Sequence, residues 1–486
     1  MLPNAEEDTL TILYTNDLHS HFGAMGHIAF MVKELRSQQS GPVLLLDIGD
    51  HMDRAALETE GTMGQVNVDV LNLMEYDAIT IGNNEGLTFT PEQLEHAYAG
   101  LTSQVVCANM LDLHTGLPPV WMNRHLILEK AGLKIGLVGV TAAYAEFYEL
   151  LGLKALDPMH AVADSVSELR SEADLVIVMS HVGLPFDRQL AEQVQGIDLI
   201  IGGHTHHLLE EPLRVGQTMI TAAGKFGRHL GLIKVQKDAA SGRPAVASGV
   251  CLPVESGADD LDVLGALQIH KDRALERMAR TVAVTEQELT IRYDYESPFG
   301  NLLAQAVRRF TGSDLSIVNS GQLLSGLPAG EVSEGMLHAC CPSPINPCRM
   351  NLKGEHILYS LEQSLLPEIA DKQIFGFGFR GKQLGGICVD GLEIIYDPAA
   401  APFHKIVQAS VQGVPIVPEG VYAVGTLDMF TFGIGYESLK LGSEMEFMLP
   451  EFLRDLLRIE LQTAGAVESC FYNRWKAKTE TFNENL

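Results

Sequence analysis

No run of apolar residues approaches the ~18 that a membrane-crossing helix needs, and the chain contains neither an internal repeat nor a low-complexity tract. These absences argue against a helical membrane protein and against a repeat array. The first ten residues, MLPNAEEDTL, lack the basic and apolar regions of a secretion signal. Cysteine is sparse: seven in 486 residues, an odd number with no spacing that resembles a disulfide framework. A reducing, cytoplasmic setting is therefore expected. Positive charge is scarce as well, with 34 Lys+Arg against 62 Asp+Glu and a formal net charge of −28. Such a surface repels a polyphosphate backbone, which argues against a nucleic-acid polymer as partner. A small phosphorylated substrate meets the same repulsion unless a local cluster of positive charge, such as metal ions, outweighs it.

What is present is a globular composition, 46% hydrophobic and 20% charged, in a chain long enough for two domains. Up to about Leu252, short apolar runs alternate with helical patterns. Strands are expected at Thr9–Tyr14, Pro42–Asp47, Ala78–Ile81, Leu133–Val140, Leu175–Met179, Leu199–Ile201 and Met219–Ala222, with helices at Gly26–Arg36 and Gly64–Glu75. Continuous apolar strands separated by helices imply sheet buried on both faces, an α/β layered domain. Residues 259–284 carry apolar residues at helical spacing and read as a connecting helix, so the expected division is 1–258, 259–284 and 285–486. The last part has an α+β texture, with strands expected at Phe375–Phe379, Leu392–Tyr396 and Val421–Thr426.

Five of the strands in the first domain are followed by polar, ligand-type residues: Asn16-Asp17-Leu18-His19, Asp47-Ile48-Gly49-Asp50, Gly82-Asn83-Asn84-Glu85, Ser180-His181 and Gly202-Gly203-His204-Thr205-His206. The carboxyl ends of strands are where open α/β sheets bind ligands. One histidine after a strand is ordinary; five such endings in succession suggest a shared task. Two divalent metals need a bridging carboxylate together with oxygen and imidazole ligands. Asp50 is placed to bridge. Asp17, His19 and one of the paired histidines suit one metal; Asn83, His181 and the other paired histidine suit the second. This mixture of imidazole and carboxylate favours Mn, Zn or Fe over Mg alone.

In this order the motifs resemble the signature of the calcineurin-like metallophosphoesterases, and Tyr76-Asp77-Ala78-Ile79-Thr80-Ile81-Gly82-Asn83 resembles the 5′-nucleotidase and UDP-sugar hydrolase family in particular. The likeness continues, more eroded, through Gly300-Asn301-Leu302-Leu303-Ala304, Ile317-Val318-Asn319-Ser320-Gly321, Pro344-Ile345-Asn346 and Gly433-Ile434-Gly435-Tyr436. It implies a mixed-sheet metallophosphoesterase domain followed by an α+β substrate domain. It also implies one metal site from Asp17, His19, Asp50 and His206, and another from Asp50, Asn83, His181 and His204. In the second domain it points to Asn319, Asn346 and Phe430 as substrate contacts, with Arg292 as a phosphate contact.

The chain departs from the family pattern in places. Gly-Asn-His-Glu-Phe-Asp, whose His contacts the phosphoryl group and whose Asp orients it, stands here as Gly82-Asn83-Asn84-Glu85-Gly86-Leu87. Asn84 can donate a hydrogen bond to a phosphoryl oxygen but cannot carry a proton, and His21 or His207 could replace it. The Gly-rich turn ends in Leu324 instead of Arg, Ile345 stands where a stacking Phe is usual, and the Asp of Gly-Gly-Asp-Gly-Tyr is missing. Cys340, Cys341 and Cys348 are too closely set for a tetrahedral site and read as buried thiols. The resulting expectation is a two-metal hydrolase of a small phosphate ester, with nucleotides and nucleotide derivatives among the candidates, in which metal-bound hydroxide attacks phosphorus with Asn84 assisting. The alternative is a metal-holding phosphate or nucleotide sensor with little turnover.

Overall fold

The computed structural model describes residues 10–478 apart from 40, 239–241, 256 and 377. It divides into two compact units, one up to Leu275 and one from Glu276 onward.

The first unit contains two six-stranded sheets. In one, Leu10–Thr15, Val43–Asp47, Ala78–Ile79 and Gln104–Val105 run parallel, and the hairpin His229–Lys237/Pro244–Pro253 is added antiparallel beside Leu10–Thr15. In the other, Leu133–Thr141, Leu175–His181, Leu199–Gly202 and Thr218–Thr221 are parallel, with antiparallel edges at His125–Lys130 and Leu213–Val215. The sheets share an inner core, in which Leu10, Ile12, Leu44 and Leu46 meet Ile135, Leu137, Ile177 and Leu199. The helices Met25–Gln38, Gln65–Met74 and Pro91–Tyr98 cover the outer face of the first sheet. Pro158–Leu169 and Leu184–Gln193 cover the second. Each sheet is thus buried on both sides, which is why its central strands carry uninterrupted apolar residues. The outer strands Pro244–Pro253 and His125–Lys130 mix half-buried with exposed positions and gave no such signal.

The helix expected between the domains runs Leu261–Met278, so the division between the units falls inside its last turn. Val263, Ala274 and Met278 are its buried apolar positions, whereas Leu261 is 79% exposed.

The second unit has a five-stranded sheet ordered Ile387–Asp390, Leu315–Asn319, Val421–Leu427, Pro347–Lys353 and Ser443–Phe447, and a four-stranded one containing Leu392–Tyr396. The helix Pro298–Thr311 packs its apolar face, including Phe299, Leu302, Leu303 and Val307, into this unit's core. The strand expected at Phe375–Phe379 does not form among the described residues; Phe377 lies outside them. Gly376 and Gly378 take φ of 84° and 75°, left-handed backbone that breaks an extended strand. All seven cysteines are buried, and none forms a disulfide among the described residues.

Candidate metal centre

The strand-end loops of the first unit converge, and their backbones are tightly bound to one another. Asp17 N–H donates to Gly49 O at 3.0 Å, and His19 N–H to Asp50 O at 2.8 Å. Gly49 and Gly82 permit this approach: a Cβ on Gly82 would lie 2.0 Å from Asp50 Oδ1, and one on Gly49 would lie 2.5 Å from Gly82 N. Glu85, fully buried, fastens the same loops by accepting N–H bonds from Gly82 (2.7 Å), Asp50 (2.9 Å) and Met52 (2.6 Å). Asn16 holds Asp17 from below, donating to Asp17 Oδ2 at 2.7 Å while its own Oδ1 accepts from Ala223 N–H. Neither role was read from the sequence. The signal available for Glu85 was its place three residues after Gly82 at a helix start, the spacing of a capping carboxylate.

Five of the seven expected ligands, Asp17, His19, Asp50, His204 and His206, have positive φ, between 46° and 69°. Left-handed backbone at non-glycine residues costs on the order of 1 kcal/mol or more each and gathers at functional sites, where surrounding structure enforces it.

The side chains meet as donor atoms facing donor atoms. His19 Nε2 lies 3.1 Å from His206 Nε2, and Asp17 Oδ1 is 3.4 Å from the latter and 3.8 Å from the former. His181 Nε2 is 3.3 Å from Asp50 Oδ2 and 3.9 Å from Asp17 Oδ1. His204 Nδ1 is 2.8 Å from Asn83 Oδ1. Ligands bonded at about 2.0–2.1 Å around one cation stand roughly 3.0–3.4 Å apart, so these spacings resemble edges of coordination polyhedra. Two compact groups could each hold an ion: Asp17, His19 and His206, and Asp17, Asp50 and His181. Asp17 is common to both, and Asp50 Oδ2 is 3.8 Å from His19 Nε2, so both carboxylates lie between the imidazoles.

The protonation chemistry fits a cation. His181 Nδ1 is 2.7 Å from Ile48 O, which fixes the ring; Nε2 is buried and has no hydrogen-bond partner. An imidazole whose Nδ1–H is engaged presents Nε2 as a lone pair. Burial disfavours a charged His181, yet Asp50 and Asp17 outweigh burial and raise its pKa to about 10. The same attraction, with that of His19, overcomes the burial of Asp50 and holds its carboxyl below the ordinary range. Asp17 is lowered likewise: burial raises it, but His206 and His181 prevail. Burial, aided by nearby His181, drops His204 to about 4, and burial also lowers His19 despite the carboxylates. Neutral imidazoles and ionised carboxylates are the ligand forms. The pocket attracts positive charge strongly enough to hold a proton where an ion would sit.

Asn84 sends its backbone N–H to Asp50 Oδ1 at 2.7 Å and sets its side-chain nitrogen 2.7 Å from His19 Nδ1. Leu87 packs against the apolar core beneath the first sheet. His21 stacks on Phe226 with ring centroids 3.8 Å apart, and His207 Nδ1 lies 2.8 Å from Thr205 Oγ1.

The residues expected to bind substrate in the second unit are placed differently. Arg292 is exposed and paired with Asp294 at 2.8 Å. Asn319 is fully buried, its amide accepting from Gln322 Nε2 and donating to Leu384 O. Asn346 donates its side chain to Glu451 O at 2.8 Å. Phe430 is fully buried against Tyr436, whereas Phe432 is 47% exposed. None of the four lines the cleft of about 840 Å³ in this unit, whose Arg308 and Arg474 share the carboxylate of Asp390.

A four-layer α/β domain that draws aspartates, histidines and an asparagine together at its strand ends is that of a metal-dependent phosphoesterase. The chain belongs to the calcineurin-like phosphoesterase family, whose model matches residues 10–208, and carries a 5′-nucleotidase C-terminal domain, matched over residues 279–440. It is 32% identical to the uncharacterized metallophosphoesterase YunD of Bacillus subtilis (strain 168), covering 94% of this chain and 99% of that protein. It is 24% identical to the 5′-nucleotidase of Rattus norvegicus over 84% of this chain and 79% of the relative. Among solved structures, the NAD nucleotidase of Haemophilus influenzae shares its fold, with TM-score 0.69 at 15% identity over 97% of this chain and 99% of that one. Among the described residues, no helix is long and apolar enough to cross a membrane.

Proposed function

We propose that the chain hydrolyses a small phosphate ester, a nucleotide or nucleotide derivative, using two divalent ions drawn from Mn, Zn and Fe. One ion would be held by Asp17, His19, Asp50 and His206, the other by Asp50, Asn83, His181 and His204. The observation that carries this reading is the face-to-face approach of donor atoms at 3.1–3.9 Å among Asp17, His19, Asp50, His181 and His206. Two such ions, when bound, lower the pKa of water and neutralise charge on phosphoryl oxygens. The protein's part is to hold five ligand residues in left-handed backbone, keep His19 and His204 neutral, and orient His181 through Ile48. Nucleotidase relatives support a nucleotide-like substrate. Seven buried cysteines outside any disulfide support a reducing, cytoplasmic setting.

A second reading, phosphate or nucleotide sensing with little turnover, draws on one observation. The side-chain nitrogen at position 84 is engaged with His19 Nδ1, and a proton carrier is missing there. One experiment separates the readings: metal analysis of the protein, then hydrolysis of mononucleotides, UDP-sugars, cyclic nucleotides and sugar phosphates after reconstitution with Mn. Turnover of at least one class is expected. A metal-loaded protein that binds these compounds and cleaves none would overturn the hydrolase reading.

A further inference from the structure

The loop after Thr218–Thr221 carries Lys225, Phe226, Gly227 and Arg228 to the rim of the metal centre. Phe226 has φ 64°, a region that bulky side chains rarely enter. Its N–H donates to Asp17 O at 2.8 Å, so the strained residue is tied to the ligand loop itself. The ring stacks on His21 and meets the edges of His19 and His206 with centroids 5.7 and 6.4 Å away. Two cations rest on it: Lys225 Nζ is 4.6 Å from the ring centroid and the Arg228 guanidinium carbon 5.7 Å.

What sets these two cations apart is their seat: Lys130, Arg170 and Arg308 are held by carboxylates, whereas Lys225 and Arg228 are held on one aromatic ring that itself touches two of the expected metal ligands. Among the described residues, Lys225 and Arg228 form no ion pair with a carboxylate. The aromatic ring keeps them beside the donor cluster by cation–π attraction, which leaves their N–H donors open to a ligand. Neither is placed among the groups that would hold an ion or the reacting phosphoryl, and Arg228 is exposed. A second anion adjoining the reacting group is what such donors recognise, a guanidinium fork and an ammonium being suited to phosphate oxygens.

We propose that Lys225 and Arg228, mounted on Phe226, form a cationic lip that selects substrates bearing a second anionic group next to the phosphoryl that is cleaved, such as a diphosphate. This rests on the phosphoesterase reading but names its substrate class. The test uses the full chain loaded with Mn, compared with K225Q, R228Q and the double variant. Calorimetry measures binding of inorganic pyrophosphate and of inorganic phosphate; kcat/KM is measured for a nucleoside diphosphate and the matching monophosphate. The wild-type preference for the two-anion ligand should fall about tenfold in the double variant, the size expected for losing charge-assisted contacts. Each single variant should lose part of it, with metal content unchanged. An unchanged preference, or no preference in the wild type, overturns the proposal even if monoesters are hydrolysed. A protein that cleaves no ester yet loses pyrophosphate binding in the variants upholds the lip and removes the hydrolase reading.

Discussion

The side-chain nitrogen of Asn84 stands 2.7 Å from His19 Nδ1, on the side of the ring away from His206. Amide nitrogen and oxygen are exchangeable assignments. With the oxygen turned to His19, Nδ1–H would donate to it and Nε2 would be the lone pair facing His206 and Asp17. Partners of this type orient metal-ligating histidines, and their loss typically lowers metal affinity 10–100-fold. Asn84→Ala is therefore expected to weaken Mn binding by about that factor, and Asn84→Asp to retain most of it, because a carboxylate also accepts from Nδ1–H. Titration with Mn followed calorimetrically checks this. An Asn84→Ala protein with unchanged metal affinity and a raised KM would instead place Asn84 against the substrate.

Removing metal should destabilise the first unit. Asp17 and Asp50 are 0% and 2% exposed, and among the described residues histidines are the only ionisable partners of opposite charge that pair with them. A ligand at 100 times its Kd adds about 2.7 kcal/mol of stability. A chelator is thus expected to lower the thermal midpoint by several degrees, on the order of 2–4 °C per kcal/mol for a unit of this size. Readdition of Mn should restore it. Asp50→Asn, nearly isosteric, is expected to release metal and to cut turnover by at least ~10²–10³. Metal content and midpoint that are indifferent to chelator would contradict the proposed ligand set.

The parts of the site that could be read from the chain share one property: their signal is local. Asp17, His19, Asp50, Asn83, His181, His204 and His206 each stand at the end of a strand or just after one, so strand pattern and residue type suffice to nominate them. Glu85, Asn16 and Phe226 act through contacts with loops distant along the chain, Asp50 in one case and Asp17 or Ala223 in the others. No spacing rule reports such contacts. The same limit applies to the fold. Central parallel strands declare themselves by apolar content, whereas the half-exposed hairpin strand Pro244–Pro253 does not, and the Phe375–Phe379 pattern is overridden by two left-handed glycines. In the second unit, Asn319 and Phe430 match family landmarks by residue type, but their burial is a property of packing that sequence order leaves open.

Asp187 predicts a pH dependence of stability. It is 1% exposed, with Oδ1 accepting from Ser180 Oγ at 2.5 Å and Oδ2 without a partner. Burial raises its carboxyl to about 7, against help from Ser180 and His181. Because the folded pKa lies above the unfolded one, the native state holds the extra proton between roughly pH 4 and 7. The resulting stability is complete at the lower end of that window and is lost as pH rises through about 7. Asp187→Asn removes the ionisation, so its stability relative to wild type should improve by a few kcal/mol between pH 5 and pH 8. Chemical denaturation at the two pH values checks this; a difference that does not change with pH would show Asp187 already ionised at pH 5.

The double substitution Asn84→His with Leu87→Asp, which restores the family's residue types, tests whether this site has lost a function or been rebuilt. Leu87 packs on the core formed by residues such as Ile81, Phe89 and Tyr148, so an aspartate there forfeits apolar contact and must either be desolvated or push its loop outward. That should cost about 1–3 kcal/mol. A histidine at 84 would also have to give up the amide's contact with His19 before it could reach a phosphoryl group. The expected outcome is lower stability and weaker metal binding without a gain in kcat. A rise in kcat with metal affinity preserved would mean that the backbone at 84 and 87 still holds the ancestral geometry, and that the present side chains suppress turnover instead of supporting it.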